Sequence, residues 1–151
     1  MTSGYSGTPL PQKLGIKEGA RLFVRAAPDN YRRLVAPLPA GVQFVGTIDV
    51  HTDLMHLFAT RRAQLQAALE QARRGMRDDA VVWVSWPKRA ARVATDLSED
   101  VVRELALPLG LVDIKVCAVD ETWSGLKLMI RRTERAAAGR KARRARGRAA
   151  P

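Results

Sequence analysis

Residues 80–88 read AVVWVSWPK, and no other stretch narrows the fold as much. Val81, Val82, Trp83 and Val84 are β-branched or aromatic and follow one another without polar alternation. A strand with water on one face alternates, whereas one covered on both faces reads as a continuous apolar run. The run therefore predicts a central strand over 80–85 with helices packed on both sides. Pro87 lacks a backbone donor, so the strand is expected to stop before it. Open parallel sheets bind ligands beyond the carboxyl ends of their strands, at a topological switch point. Trp86, Lys88 and the loop to Thr95 are thereby placed at the edge where a ligand would lie. The plainer alternative is a Trp86 that roofs the core and a Lys88 solvated at the surface.

Elements on either side fit that frame. Pro9 and Gly15 bracket a short helix over 9–14. RLFVRA at 21–26 predicts a first strand, and Asp29 is placed to cap a helix over 30–35, stopped by Pro37 and Pro39. Strands follow at 43–45 and 54–59, joined by a polar connection at 49–53. Thr60 is expected to cap a helix over 61–74, where Leu65, Leu69, Ala72 and Met76 share one face and Gly75 ends the run. Asp96 and Glu99 form a capping-box pattern for a helix over 97–107, with Leu97, Val101 and Leu105 on its apolar stripe. Pro108 and Gly110 end it. Strands at 111–119 and 126–130 flank a turn at 120–125, a spacing that predicts an antiparallel hairpin. Strands alternating with helices, then a closing hairpin, specify an α/β three-layer, Rossmann-like sheet of about six strands, mostly parallel.

The chain's 151 residues suffice for one such domain and not for two. The expected division is a flexible N-terminus at 1–8, one α/β domain at 9–132 and a basic disordered tail at 133–151. The formal net charge of +11 is unevenly spread. From Arg131 onward there are nine Arg or Lys and one Glu, a net +8, which leaves +3 for residues 1–130. Cys117 is the single cysteine, so no internal disulfide forms; it sits in an apolar strand pattern, as a small hydrophobe would. No apolar run approaches the roughly 20 residues of a membrane span. The start, MTSGYSGTPLPQK, lacks the pattern of a secretory signal. These features predict a cytoplasmic protein with no membrane partner.

Several strings resemble a family of small bacterial proteins classed as a domain of unknown function. They are GYSGTPLPQKLGIKEG, HLFATRRAQLQAAL, WVSWPK, TDLSEDVVRELALPLGLVDIKVCAVDETWSGLKL and the following IRR. The resemblance covers nearly all of residues 4–132 and stops before the tail. It implies a shortened methyltransferase-like Rossmann architecture, whose last two strands are antiparallel. The family carries no assigned activity, so no catalytic residue transfers. Working methyltransferases resemble one another in a glycine-rich turn after the first strand. Here the turn is Arg25-Ala26-Ala27-Pro28-Asp29-Asn30, with no glycine. Pro28 removes a donor and Asp29 sets negative charge at the helix start, which opposes a phosphate there. The G-x-G-x-x-G fingerprint is absent too.

Candidate chemistry falls into five groups. Asp49, His51, Asp53 and His56 are metal-ligand types, but D-x-H-x-D-x-x-H matches no standard motif. An acidic loop plus a hydrogen-bonded core histidine is the reading adopted, with no metal site. Ser85 and Ser124 lack a nucleophile elbow, and neither has a histidine near it in sequence. Lys88, Arg89 and Arg92, with Thr95, Asp96 and Ser98 at the next helix start, could hold an anion, although Asp96 and Glu99 compete for the same donors. Trp86, Lys88, Asp120 and Trp123 could orient a planar small ligand between two indoles. In the tail, Arg140, Lys141, Arg143, Arg144, Arg146 and Arg148 suit phosphate backbones without sequence choice. No aromatic interleaves them, so base stacking is not indicated.

Three functions follow. The first is a binding or regulatory module with a small-ligand site at the carboxyl sheet edge. The second is an S-adenosylmethionine-dependent methyltransferase-like protein, and the third a nucleic-acid-associated protein acting through its tail. The residues name no cofactor and no reaction.

Overall fold

The computed structural model describes residues 7–135. Its six strands are β1 (Arg21–Arg25), β2 (Gln43–Val45), β3 (Leu54–Phe58), β4 (Val81–Pro87), β5 (Leu111–Ala118) and β6 (Trp123–Ile130). The helices are α1 (Leu10–Leu14), α2 (Tyr31–Leu34), α3 (Arg62–Gly75) and α4 (Glu99–Ala106), with 3-10 turns at Arg89–Ala91 and Leu107–Leu109. The strands form one sheet in the order β2-β1-β3-β4-β6-β5. The first four positions are parallel, and β6 runs antiparallel to both its neighbours. This is the Rossmann-like three-layer architecture expected from the alternation of elements.

Strand alternation sorts the core into two layers. Met55 and Leu57 of β3, with Val82, Val84 and Trp86 of β4, pack under Leu65 and Leu69 of α3 and Val102 and Leu105 of α4. Leu54 and Phe58 of β3, with Trp83 of β4, pack against Leu14 at the end of α1 and Tyr31 of α2. Both strands are buried on both faces, which is why β4 reads as a continuous apolar run. Trp83 also fixes α1, because its indole N–H donates to the Leu14 carbonyl at 2.8 Å.

The strand does not stop before Pro87 as expected. β4 continues to it because β6 remains alongside after β3 has ended at Phe58 opposite Ser85. The Lys88 N–H bonds to the Thr122 carbonyl at 2.7 Å, and ladder bonds alternate in direction. The nitrogen of Pro87 therefore points away from β6, towards the side β3 has vacated, where no donor is required.

Helix starts differ from expectation in a related way. Ser98, not Asp96, caps α4, accepting from the Val101 N–H at 3.3 Å. Asp96 instead serves α3, accepting from the Arg62 N–H at 2.7 Å. Arg61 holds the N-cap position of α3, and Asn30 that of α2, so neither Thr60 nor Asp29 caps. Thr60 ties the two helix starts together: its carbonyl accepts from the Thr95 hydroxyl at 2.6 Å. The closing hairpin is tighter than predicted, since β6 begins at Trp123. Asp120 makes this turn by accepting from the Thr122 and Trp123 N–H groups, each at 2.8 Å.

Candidate functional site

A cleft of about 500 Å³ opens at the carboxyl end of β4, in the size range of small-molecule sites. Trp86, Pro87 and Lys88 form one side, Ser124 of β6 another, and Thr95, Ser98 and Glu99 approach from the start of α4. The sequence run from β4 into α4 thus builds all of the cleft but its Ser124 side. Trp86 is 6% exposed, so its ring is chiefly core and presents only an edge.

Most of the polar lining is already engaged. The Thr95 hydroxyl donates to Thr60 and accepts from the Leu97 N–H at 3.0 Å. Ser98 caps α4, and Glu99 pairs with Arg103 one turn on. Lys88 and Arg89 supply positive charge, which suits a carboxylate- or phosphate-bearing ligand. Among the described residues, no nucleophile with a base and an orienting partner lines this cleft.

The sequence-derived residues are only partly assembled here. Trp86 and Lys88 line the cleft. Trp123 does not, because register sets Trp86 opposite Ser124 and Pro87 opposite Trp123. Side chains alternate, so the two indoles lie on opposite faces of the sheet and cannot sandwich one ligand. Trp123 packs edge-on against Phe58, centroids 5.0 Å apart. Asp120 is occupied in the turn. Of the anion-binding candidates, Arg92 sits in the left-handed region at φ 56°, and Asp96 is engaged by the Arg62 N–H at the start of α3. Ser124 reaches the cleft through its pairing with Trp86, a long-range register that local patterning does not carry. Residues 140–148 of the tail, including Arg140, Lys141, Arg143, Arg144, Arg146 and Arg148, lie outside the described residues.

The histidine and aspartate cluster is dispersed among separate tasks. Asp49 accepts from the His51 N–H at 2.8 Å and closes the 49–53 turn. Asp53 bonds the Arg21 N–H at 2.7 Å and the Arg77 guanidinium at 2.7 Å. Burial pushes its carboxyl up, but these two partners outweigh it and hold the group below the usual range. His56 is fully buried, between the Tyr31 hydroxyl at 2.9 Å from Nδ1 and the Ser85 hydroxyl at 2.8 Å from Nε2. Burial lowers it to about 3, so it is neutral at physiological pH. The Ser85–His56 pair went unseen in the sequence because the partners are on adjacent strands, 29 positions apart. With Ser85 and His56 at 0% exposure, no substrate reaches it.

The topological switch point lies between β1 and β3, since the chain leaves β1 for β2 on one side and returns to β3 on the other. There the Arg25 guanidinium donates to Gln71 of α3. Ala26 adopts φ 57°, a left-handed conformation that glycine ordinarily supplies. The turn after β1 then delivers Tyr31 into the core against His56.

This strand order, with its one antiparallel member, defines a methyltransferase-type Rossmann fold. The chain is similar in structure to an S-adenosylmethionine-dependent methyltransferase from Aquifex aeolicus, at TM-score 0.53 and 12% identity, covering 80% of this chain and 87% of that one. A protein from Sulfolobus solfataricus described as a type 11 methyltransferase gives 0.57 and 13%, over 81% and 89%. A member of the NADB-Rossmann superfamily from Streptococcus agalactiae gives 0.51 and 10%, over 87% and 71%. No protein-family model matches the chain, and no curated protein matches it.

Proposed function

We propose that this chain is an S-adenosylmethionine-dependent methyltransferase-like protein that takes a small, carboxylate-bearing ligand at the carboxyl edge of its sheet. The observation that carries the reading is the β2-β1-β3-β4-β6-β5 order, with β6 alone reversed, paired with a cleft at that edge. Support comes from the likeness to the Aquifex aeolicus methyltransferase over four-fifths of this chain. Lys88 and Arg89 are the residues proposed to meet the ligand's carboxylate. Calorimetric titration with S-adenosylmethionine and S-adenosylhomocysteine is the test. Saturable heat, lost in the Lys88→Ala/Arg89→Ala variant, is expected; no heat at millimolar ligand would remove the reading.

A second reading, a binding or regulatory module without transfer, is favoured by the turn after β1. Its residues 25–30 hold no glycine, and Pro28 and Asp29 stand where a cofactor would need donors. This reading carries the proposed kinship with the small bacterial family. Native mass spectrometry of gently purified protein separates the two: a copurified small molecule other than these nucleosides favours the module, whereas bound S-adenosylmethionine excludes it.

A further inference from the structure

We infer that the α1/α2 face of the sheet, over β6 and β5, is a docking surface for the phosphate backbone of nucleic acid, formed by Lys13, Lys17, Lys115 and Lys127. This surface belongs to the folded domain, and its four lysines are not among the residues that line the cleft.

Pairing brings the lysines together. Lys127 is the register partner of Trp83, and Lys115 is the partner of Lys127, so both stand on the face that Trp83 occupies. The Trp83 indole holds the Leu14 carbonyl, which seats the end of α1 on the same ground. Lys13 and Lys17 then flank the buried pair Leu14 and Ile16. Lys17 and Lys115 are exposed, and Lys13 and Lys127 half-buried. Among the described residues, Lys17, Lys115 and Lys127 make no salt bridge. Asp113 would be the natural neutraliser of Lys115, but the register shift between them turns Asp113 to the other face. There its carboxylate meets Arg103 at 3.1 Å. Glu18, beside Lys17, is the nearest acid in sequence and is exposed.

Burial, and then the charges of Lys115 and Lys17, disfavour the charged form of Lys127. Clustered like charge costs stability, and a polyanion relieves it. Adjacent strands are about 5 Å apart, so the ammonium groups form a spread array with no cradle of backbone donors. Such an array suits successive phosphates better than one small anion, because lysine acts as a flexible point charge. A lipid surface is less well matched, since the apolar residues beneath the lysines, Leu14, Ile16 and Trp83, are 1%, 5% and 0% exposed, which leaves Ile114 beside Lys115 as a lone exposed apolar side chain rather than an inserting face. The chain also passes from Lys127 to Arg131, where its most basic segment begins, within four residues.

The test is fluorescence anisotropy of the full chain with a labelled mixed-sequence DNA duplex and an RNA single strand, across a salt series. The Lys13→Gln/Lys17→Gln/Lys115→Gln/Lys127→Gln variant, with its tail intact, should bind at least tenfold more weakly. Its slope of log affinity against log salt should flatten by about two to four units on the duplex. Should that variant fail to fold, the Lys17→Gln/Lys115→Gln pair, both exposed, should give about half the change in slope. Unchanged affinity and slope, with binding lost only when the six tail cations become glutamine, would overturn the inference. So would binding to phosphatidylserine vesicles with none to either nucleic acid.

Discussion

Buried in the middle of β3, His56 holds two hydrogen bonds and no charge, and this makes it a reporter of folding. Its ordinary value of 6.5 falls to about 3 in the fold, through burial. Between those values the unfolded chain binds a proton that the folded chain does not, so stability rises with pH across the window. The contribution is complete above the ordinary histidine value and is lost as acid carries the pH down towards the folded one. The expected slope is about 1.4 kcal/mol per pH unit on the acid side of neutrality. Urea unfolding from pH 7 to pH 4.5 should show this slope in the native chain and lose it in His56→Gln; parallel curves would refute the assignment. Tyr31→Phe should cost about 1–3 kcal/mol at neutral pH, because a buried ring nitrogen loses its hydroxyl partner. Ala26 offers the opposite case. Its left-handed φ costs a non-glycine residue about 1–2 kcal/mol, while glycine's extra chain entropy takes back about 0.5–1 kcal/mol. Ala26→Gly should therefore stabilise the protein by about 0.5–1 kcal/mol in urea unfolding, and a loss of stability would show that the turn is not strained.

Elements are where the sequence was most readable and where its limits are clearest. The long helices α3 and α4 are legible through local period, the short ones through proline and glycine boundaries, and β4 through the absence of alternation, because burial on both faces leaves that mark in the residues. Helix starts are not legible locally where the partner is distant: Asp96 precedes α4 in the chain yet serves Arg62 at the start of α3, 34 positions away. The cleft's β4 side was legible because Pro87 and Lys88 follow a buried run. Its β6 side was not, because nothing local says whether position 123 or 124 shares a face with Trp86. Gly75, at the end of α3, tests how far local propensity can be overruled. Read as a helix residue, it should welcome alanine, which is favoured by about 1 kcal/mol. The added Cβ would stand 2.7 Å from the Ile48 carbonyl oxygen and 3.1 Å from its side chain. Backbone cannot yield as a flexible side chain does, and overpacking costs about 1–3 kcal/mol. Gly75→Ala should therefore destabilise, read as a lower urea midpoint with an unchanged slope; a higher midpoint would mean that the 46–48 segment moves freely.

Across the whole molecule, stability should grade from the sheet's centre to one edge in particular. β3 is buried at every position and pairs on both sides, with β1 and β4. β2 has three residues, one exposed and two half-buried, and among the described residues pairs only with β1. Among the described residues β5 is the other edge, but all of its eight residues except Ile114 pair with β6, and Arg103 of α4 ties Asp113 to that helix. The two edges should therefore differ. Amides open locally where few buried contacts hold them and only with global unfolding where many do. Residue-resolved hydrogen exchange should find Met55–Leu57 and Val82–Val84 exchanging at the global unfolding free energy. The paired amides of β5 should come next, and Gln43–Val45 fastest among the strands. A ligand in the cleft beside β4 touches the most stable strand through Trp86, and β2 only through the intervening sheet. Its binding should slow exchange at Lys88 and at the start of α4 while leaving β2 unchanged. Equal protection of β2 and β3 without ligand would mean that the sheet opens as one unit, and the cleft would then sense every strand.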